Sequence, residues 1–564
     1  MLSNDVNKFY WDIENMLHGS SAMQSTSDHI FTLFLSYSKG REIGKSNYEL
    51  VEEVKGIIGE KVPMNLSQGL EAIYTAENVS DAEMADLCEH IAYDDRSGDR
   101  YFYHSSTSSL ITDLVCPLLD IKPEDKVVDT CSGFGHFLVA SAGYSRAKYG
   151  HIPSLFGYEI NQKSALVSRV ILALNHEKAE IQIEDSLKVK IPNFTKSFIE
   201  PPFGARVLAG DSIWKDENVP LFSNESEWVF TYSAIQAMDK SGRLAVLLPF
   251  GRLMSSTGEK IRRLLIEKNY IEGIIELPSG MAIGTNLKTA LLIFSKNKES
   301  TAIKMVDGTK FVSEDSNRRY DSLKLDVTSL LEEYQKQDFK FSSKEIMDNR
   351  CNLAPTIYLS PTYKIEVQYP VKISDVAKVI VGSQYTVSHF KPMITEAENG
   401  YRILTSSDIN DGIINFERLI RIDPDSKLDK FALQNGDVIL TSKSSKVKIA
   451  VIDDLPSQPV IVTGGMIIIR PDAKKINPVF IKIFLSSEKG MDTLKGIQRG
   501  TAITIISGAD LADAIISCPP IKEQNKVSAR YSSLVNIYAG LEEQLNSTKE
   551  KIDHFYSDYL SEEE

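Results

Sequence analysis

The stretch from Val127 to Leu138, VVDTCSGFGHFL, constrains the fold of this chain most strongly. Two apolar residues precede Asp129, Gly133 and Gly135 follow it, and an apolar run begins at Phe137. This order predicts a buried strand, a tight glycine turn and the start of a helix, an arrangement that lets backbone N–H groups approach a ligand closely. Glycine spacing of this kind is a weak signal by itself, so its meaning depends on the residues that follow.

Acidic residues follow the next two predicted strands. The run Leu155–Tyr158 ends at Glu159, and the run Ala179–Ile183 leads to Asp185. A carboxylate at the tip of the second strand is what nucleotide-binding folds use to accept hydrogen bonds from ribose hydroxyls. Strands and helices then alternate as far as residue 294, which predicts a doubly wound α/β sheet.

A second motif, Phe198-Ile199-Glu200-Pro201-Pro202-Phe203, distinguishes between protein families better than the glycine turn does. An apolar strand delivers a polar residue, two prolines and an aromatic residue to a sheet edge, where the prolines hold a stiff, extended backbone. The two motifs in this order resemble the N6-adenine DNA methyltransferases, and most of all the modification subunit of type I restriction-modification systems. The resemblance extends over roughly two hundred residues, because the stretches GRLAVLLPFGRLM and ELPSGMAIGTNLKTALLIFSK share it.

This resemblance implies a Rossmann-like fold that uses S-adenosylmethionine to methylate adenine in DNA after flipping the base out of the helix. The implied catalytic tetrad consists of Glu200, Pro201, Pro202 and Phe203. The implied cofactor-binding residues are Tyr103, Asp129, Cys131, Gly133, Phe134, Gly135, Glu159 and Asp185.

Glu200 departs from the family, which has Asn or Asp at this position. Its carboxylate can accept a hydrogen bond, but the side chain is one methylene longer, about 1.3 Å of extra reach. A displacement of that size can cost about a hundredfold in rate. Two hypotheses stay open: an active site-specific adenine DNA methyltransferase, or a catalytically weak or silent DNA-binding recognition or regulatory component. Methylation of RNA or protein glutamine uses a similar tetrad, but the following region argues against it.

The region after the catalytic part resembles the target-recognition domain of type I specificity subunits, in one copy where a full subunit has two. It contains short strands at Gly436–Thr441 and Gly464–Arg470 and ends at Pro519-Pro520. Candidate DNA-binding residues are Lys443, Lys446, Lys448 and Arg499, although exposed lysines often serve only solubility.

The last helix repeats apolar or aromatic residues at alternating spacings of four and three. The positions are Val527, Tyr531, Leu534, Tyr538, Leu541, Leu545, Ile552, Phe555 and Tyr559, with Thr548 in the remaining slot. This period is typical of a coiled coil and predicts a homodimer, the alternative being a helix packed on its own domain.

The predicted domains are an N-terminal helical domain over 1–95, a methyltransferase domain over 96–320, a helical linker over 321–368, a target-recognition domain over 369–521 and a coiled-coil spacer helix over 522–564.

The composition favours a cytoplasmic protein. No long apolar run or leader pattern is present, and five scattered cysteines show no metal-ligand spacing, so we expect no membrane span, disulfide or metal site. The net charge of −14 disfavours general coating of double-stranded DNA and leaves room for a local basic face. No nuclease motif is visible, so DNA cleavage would require a separate nuclease or defence subunit.

Overall fold

The structure is a computed structural model that describes residues 5, 6, 8–10, 34, 79–94, 107–207, 225–283, 285–314, 323–336, 340–360, 363, 366–385, 387–410, 412–443, 447–499 and 505–562. The chain divides into two compact units, Met1–Leu359 and Ser360–Glu564. Most of the predicted N-terminal domain lies outside the described residues. The same is true of two predicted site residues, Tyr103 and Lys446.

The first unit is built on a nine-stranded sheet with the order β11-β8-β6-β7-β5-β4-β1-β2-β3. Strands β3, β2, β1, β4 and β5 run parallel, whereas β7 is antiparallel to both β5 and β6. The strands of this unit are β1 Lys126–Asp129, β2 Ser154–Glu159, β3 Ala179–Ile183, β4 Phe194–Ile199, β5 Met238–Pro249, β6 Ile271–Ser279, β7 Lys288–Ser295, β8 Ile303–Asp307, β9 Val312–Glu314, β10 Leu323–Leu325 and β11 Lys340–Phe341.

Helices alternate with these strands, as the sequence predicts, giving a mixed α/β structure with a large, mainly parallel sheet. They are α1 Asp81–Asp94, α2 Ser109–Leu119, α3 His136–Tyr149, α4 Gln162–Leu174, α5 Ser226–Ala237, α6 Glu259–Glu267, α7 Val327–Gln335, α8 Ser343–Asp348 and α9 Pro355–Tyr358. Apolar residues of α2, α3 and α7 bury against the sheet in one cluster, and those of α1 and α4 form another. These helices therefore bury apolar residues in the core, and α4 contributes to both clusters.

The stretch predicted to be a linker contributes to the first unit as far as Leu359. Leu330 and Tyr334, one turn apart on α7, are buried in the main core, and β11 pairs with β8. The charged residues of this stretch conceal an i, i+4 apolar pair, which is why its composition resembles a linker.

The second unit contains short strands, in agreement with the sequence analysis. They are β12 Pro370–Lys372, β13 Ala377–Val381, β14 Tyr401–Leu404, β15 Ile409–Asn410, β16 Ile413–Ile414, β17 Ile420–Ile422, β18 Val438–Thr441, β19 Ile449–Val451, β20 Val460–Val462, β21 Met466–Pro471, β22 Gln498–Arg499, β23 Ile505–Ile506 and β24 Ile515–Ser517. A four-stranded sheet β13-β21-β18-β19 lies beside a three-stranded sheet β17-β14-β20, and Ile439, Ile468 and Val462 share one buried cluster.

The helices of the second unit are α10 Ile373–Val376, α11 Val387–Phe390, α12 Pro478–Ser486, α13 Glu488–Ile497, α14 Gly508–Asp513 and α15 Ile521–Glu562. The start of α15 is fixed to its own unit, because the amide of Gln524 donates to the carbonyls of Lys475 and Pro519. Further along, Leu534, Leu541 and Ile552 are more than half exposed. Among the described residues no helix combines the length and the apolar character that crossing a membrane requires.

Candidate active site at the carboxyl edge of the sheet

The candidate site lies where the order of the parallel strands changes direction. From β1 the chain continues outward to β2 and β3, and then returns to place β4 on the other side of β1. Ligands of doubly wound folds bind outside the carboxyl ends of the strands at such a switch point. Asp129 ends β1, Glu159 ends β2 and Glu200 follows β4, so these three acids share one edge of the sheet.

Two carboxylates accept hydrogen bonds from the backbone of the glycine turn after β1. The N–H of Cys131 donates to Oδ1 of Asp129 over 3.0 Å, and the N–H of Gly133 donates to Oε2 of Glu159 over 2.9 Å. Gly135 has a φ of +80°, and a Cβ there would lie 2.5 Å from Oγ of Ser168. Glycine is therefore required at position 135 both by the backbone conformation and by the close approach of α4.

Burial shifts the ionisation of the acids in this site. Asp129 is only 5% exposed, and burial raises its pKa to about 8, helped by the charges of Glu159 and Glu200. Burial also raises the pKa of Glu159, against the backbone donors that stabilise its charged form. A cation beside these carboxyl groups would favour their charged forms, so the site suits a cationic ligand better than an anionic one.

Glu200 is held by residues that the sequence analysis did not identify. The hydroxyl of Thr107 donates to Oε2 of Glu200 over 3.0 Å. Burial raises the pKa of Glu200 to about 7, while the Thr107 hydrogen bond and the nearby His136 lower it. Glu200 therefore titrates close to neutral pH.

His136 connects this carboxylate to the first described helix. Its Nδ1 accepts from the N–H of Thr107 over 3.2 Å, and its Nε2 lies 3.2 Å from Oε2 of Glu89 on α1. Because Nδ1 is the acceptor, the ring carries its proton on Nε2, facing Glu89. The contacts run from Glu200 through Thr107 and His136 to α1.

The tetrad backbone is fixed from the start of α5. The hydroxyl of Ser226 donates to the carbonyl of Pro202 over 2.7 Å, and the N–H of Gly204 donates to Oε1 of the fully buried Glu227 over 2.8 Å. Pro201 is buried, and Phe203 is partly buried against the main core. The pair Ser226-Glu227 directly before an apolar run was the available sequence signal for this support.

Three of the predicted cofactor residues differ in what their side chains do. The Phe134 side chain is fully buried in the cluster of α1 and α4, so it packs the core and only its backbone belongs to the turn. Cys131 is partly buried, and it is the main-chain N–H of this residue that contacts Asp129. Asp185 accepts from the N–H of Leu187 over 3.0 Å and pairs with Lys188, which stabilises the turn after β3.

Ile160, which the sequence analysis passed over, is 68% exposed directly after Glu159. Its position directly after a strand-end carboxylate was the sequence signal that could have identified it.

The predicted DNA-binding residues occupy different environments. Lys443 is exposed at the end of β18. The ammonium of Lys448 instead donates to the carbonyls of Ser406 and Ile409, at 3.1 and 2.7 Å, and so holds the turn between them. Two of its three protons are used inside the unit, so Lys448 stabilises this turn, and its contact with DNA stays a prediction. Arg499 lies in β22, paired with Ile505.

Comparison with known proteins assigns both units. Residues 88–366 match the N-6 DNA Methylase family, and residues 366–549 match the type I restriction modification DNA specificity domain. The chain therefore joins an N-6 DNA methylase region to a type I specificity domain. Regions that match separate subunits in the relatives described next are thus joined here in one chain.

The methylase subunit of the type I restriction enzyme MjaVII from Methanocaldococcus jannaschii is 27% identical over 205 residues, which cover 33% of this chain and 35% of that protein. The specificity subunit of EcoBI from Escherichia coli is 23% identical over 169 residues, 29% of this chain and 35% of that protein. Each match spans about a third of the relative's length. The crystal structure of the type IIG restriction endonuclease BpuSI is similar in fold, with a TM-score of 0.50 at 13% identity, over 91% of this chain and 73% of that one.

Proposed function

We propose that this chain is a sequence-specific, S-adenosylmethionine-dependent DNA methyltransferase that acts on N6 of adenine in a restriction-modification or phage-defence system. The observation that carries the proposal is the meeting of the glycine turn, three carboxylates and the Glu-Pro-Pro-Phe segment at one switch point of the sheet. The family matches over both units support the same conclusion.

The residues at this edge fit the proposed cofactor better than a phosphate-bearing one. Glu159 keeps acceptor capacity on each carboxylate oxygen for ribose hydroxyls, and the exposed Ile160 offers an apolar surface to a purine. The carboxyl groups of Asp129 and Glu200 lie near the turn and ionise more readily beside a cation, which suits a sulfonium and an ammonium group better than a phosphate. S-adenosylmethionine, when bound, supplies the methyl group.

The tetrad would hold the target base. In this proposal Glu200, fixed at Oε2 by Thr107, accepts an amino proton of the flipped adenine at Oε1, which makes the nitrogen more nucleophilic. Phe203 stacks on the base, and Pro201 and Pro202 keep the segment extended. The hydrogen bond from Thr107 supports the hypothesis of an active enzyme over that of a silent one, because it fixes the longer Glu200 side chain in one position.

The second unit would select the DNA sequence, and a separate protein would be needed for DNA cleavage. We assign double-stranded DNA as the substrate, the cytoplasm as the location, and a separate nuclease or defence subunit as the partner for any cleavage. The exposed apolar residues along α15 support a homodimer through this helix, so that two specificity domains would read a palindromic or bipartite site.

A single-molecule map of N6-methyladenine tests the function. The protein is expressed in a methylation-deficient host beside Asp129→Ala and Glu200→Asn. Methylation at one motif by the parent, absent in Asp129→Ala, is the expected result. An unmodified genome for the parent, with methylation only in Glu200→Asn, would mean that Glu200 silences the site and that the chain is a DNA-binding recognition component.

A further inference from the structure

Several loops of the second unit meet at one edge. Ser383, after β13, forms a bridge to Thr463 after β20, and a Cβ on Gly464 would lie 2.4 Å from the carbonyl oxygen of Ser383. The N–H of Lys443, after β18, donates to the carbonyl of Gly465 over 3.3 Å. The segments after three strands therefore lie side by side, at what we call the loop edge, defined by Ser383, Lys443 and Gly465.

An aromatic pair extends from this edge. The rings of Tyr385 and His389 stack with their centroids 4.1 Å apart and their planes within 5° of parallel. Tyr385 is 42% exposed and His389 is exposed as well. Two parallel rings in contact with water retain faces and polar tips that can bind a ligand, since a Tyr hydroxyl and a His nitrogen each donate or accept.

The pair is rigidly supported. Phe390 is 2% exposed and stands edge-on to both rings, at 6.0 Å from each and at 86° to Tyr385 and 85° to His389. Phe390 in turn belongs to the buried cluster that contains Ile403 and Ile461. A pair fixed in this way loses little side-chain entropy on binding, which is what a recognition element requires.

We propose that Tyr385 and His389 are base-reading residues of the DNA recognition domain, which contact two adjacent base pairs of double-stranded DNA in the major groove. The inference deepens the proposed function and rests on it. The ring spacing of 4.1 Å is close to the rise of about 3.4 Å between stacked base pairs, so the two polar tips can each face a neighbouring pair.

The charge of the same edge supports DNA as the ligand. Lys443 is exposed there and can contact a phosphate. Asp408 is directed at its own turn, because its Oδ2 accepts from both the N–H and the hydroxyl of Thr405. Lys448 holds the adjoining turn through Ser406 and Ile409. The edge thus combines a phosphate-binding cation with two polar rings.

Selection of DNA from a random duplex library by the full-length protein tests the proposal without any methylation readout. The variants are Tyr385→Ala, His389→Ala and Tyr385→Phe, the last of which keeps the ring and removes only the hydroxyl. Tyr369→Ala is the matched control, since Tyr369 is 54% exposed in the same unit but lies beside β24.

We expect the two alanine variants to bind the parent motif about tenfold more weakly and to lose selectivity at two adjacent base pairs. Tyr385→Phe should relax one of these pairs only, and Tyr369→Ala should select the parent motif. Lys443→Gln should reduce the salt dependence of binding by about one phosphate contact, whereas the aromatic variants leave it unchanged.

Parent motif and parent affinity in Tyr385→Ala and His389→Ala would overturn the inference. If the protein selects a motif but does not methylate the genome, the proposed methyltransferase activity is contradicted. The base-reading role of Tyr385 and His389 is then still decided by the binding of the variants. If the parent selects no motif, DNA recognition by this unit fails and the inference fails with it.

Discussion

The hydroxyl of Thr107 donates to Oε2 of Glu200 over 3.0 Å, although the two residues are 93 positions apart in the chain. This bond stabilises the charged form of a carboxylate whose burial favours the neutral form. Thr107 thereby fixes both the position of Glu200 and the pH range in which it is charged.

Replacement of Thr107 by Val should therefore move the pH dependence of methylation. Loss of the hydrogen bond raises the pKa of Glu200 above its present value of about 7, so less of the enzyme is active at neutral pH. The check is kcat/KM for the cofactor as a function of pH, which reports the free enzyme. Thr107→Ser keeps the hydroxyl and should restore the parent profile. A parent profile in Thr107→Val would contradict this role.

Glu200→Gln should remove the rise in rate that Glu200 produces. In the parent, kcat/KM increases with pH through about 7, because the carboxylate becomes charged above its pKa and accepts a hydrogen bond more strongly. Gln has the same length and a neutral acceptor, so we expect a flatter profile and a rate at pH 8 lower by roughly tenfold to a hundredfold. A rise near pH 7 that persists in Glu200→Gln would assign it to another group.

Asp129 should make the protein less stable in alkaline solution. Its pKa is about 8 in the folded state against an ordinary value of 3.8, so the folded state holds a proton that the unfolded state releases. Stability is therefore lost as pH rises between about 4 and about 8. We expect Tm to decrease from pH 6 to pH 9, and Asp129→Asn to decrease less steeply. Identical slopes in parent and variant would contradict this account.

Gly135 and Gly150 offer a matched test of the glycine turn. Both have a φ of +80°, but a Cβ at position 150 meets nothing within 4 Å, whereas one at position 135 lies 2.5 Å from Oγ of Ser168. Gly150→Ala should lose only about 1–2 kcal/mol of unfolding free energy for the backbone conformation. Gly135→Ala should lose more, and addition of Ser168→Ala should recover the excess.

Chemical denaturation of the parent and the three variants measures these differences, and cofactor titration shows whether the turn still binds S-adenosylmethionine. Equal losses in Gly135→Ala and Gly150→Ala would mean that the close approach of α4 contributes nothing.

The sequence predicted the alternating strands and helices and the acids at their ends because each depends on a local pattern: an apolar run, a glycine turn, a polar tip. Contacts such as Thr107 with Glu200 and Ser226 with Pro202 were beyond it, since they join segments that only packing brings together. The same reason explains Phe134. Spacing places it in the turn, but the direction of its side chain is set by α1 and α4.

The charge of a residue also says little about what it binds. The sequence predicts that Lys448 contacts DNA, and the structure adds that its ammonium donates to two carbonyls of its own unit. The predicted linker was another case, because Leu330 and Tyr334 bury one face of an otherwise charged helix. In both cases the sequence gives the charge of the segment, whereas the groups that its side chains contact depend on the fold.

The period of α15 leads to a prediction about assembly. Leu534 and Leu541 are 59% and 60% exposed, and both lie on the repeating face that the sequence predicts to be a coiled-coil seam. Burial of such a leucine contributes about 1.5–3 kcal/mol, so Leu534→Lys with Leu541→Lys should dissociate the proposed homodimer. Asn536→Lys is the matched control, because Asn536 is exposed but lies on the opposite side of the helix from Leu534. Light scattering over a range of concentrations checks the mass of each protein. We expect a dimer for the parent and for Asn536→Lys, and a monomer for the double variant. A parent that is monomeric at every concentration would leave each chain with one specificity domain, which would then read a short asymmetric site.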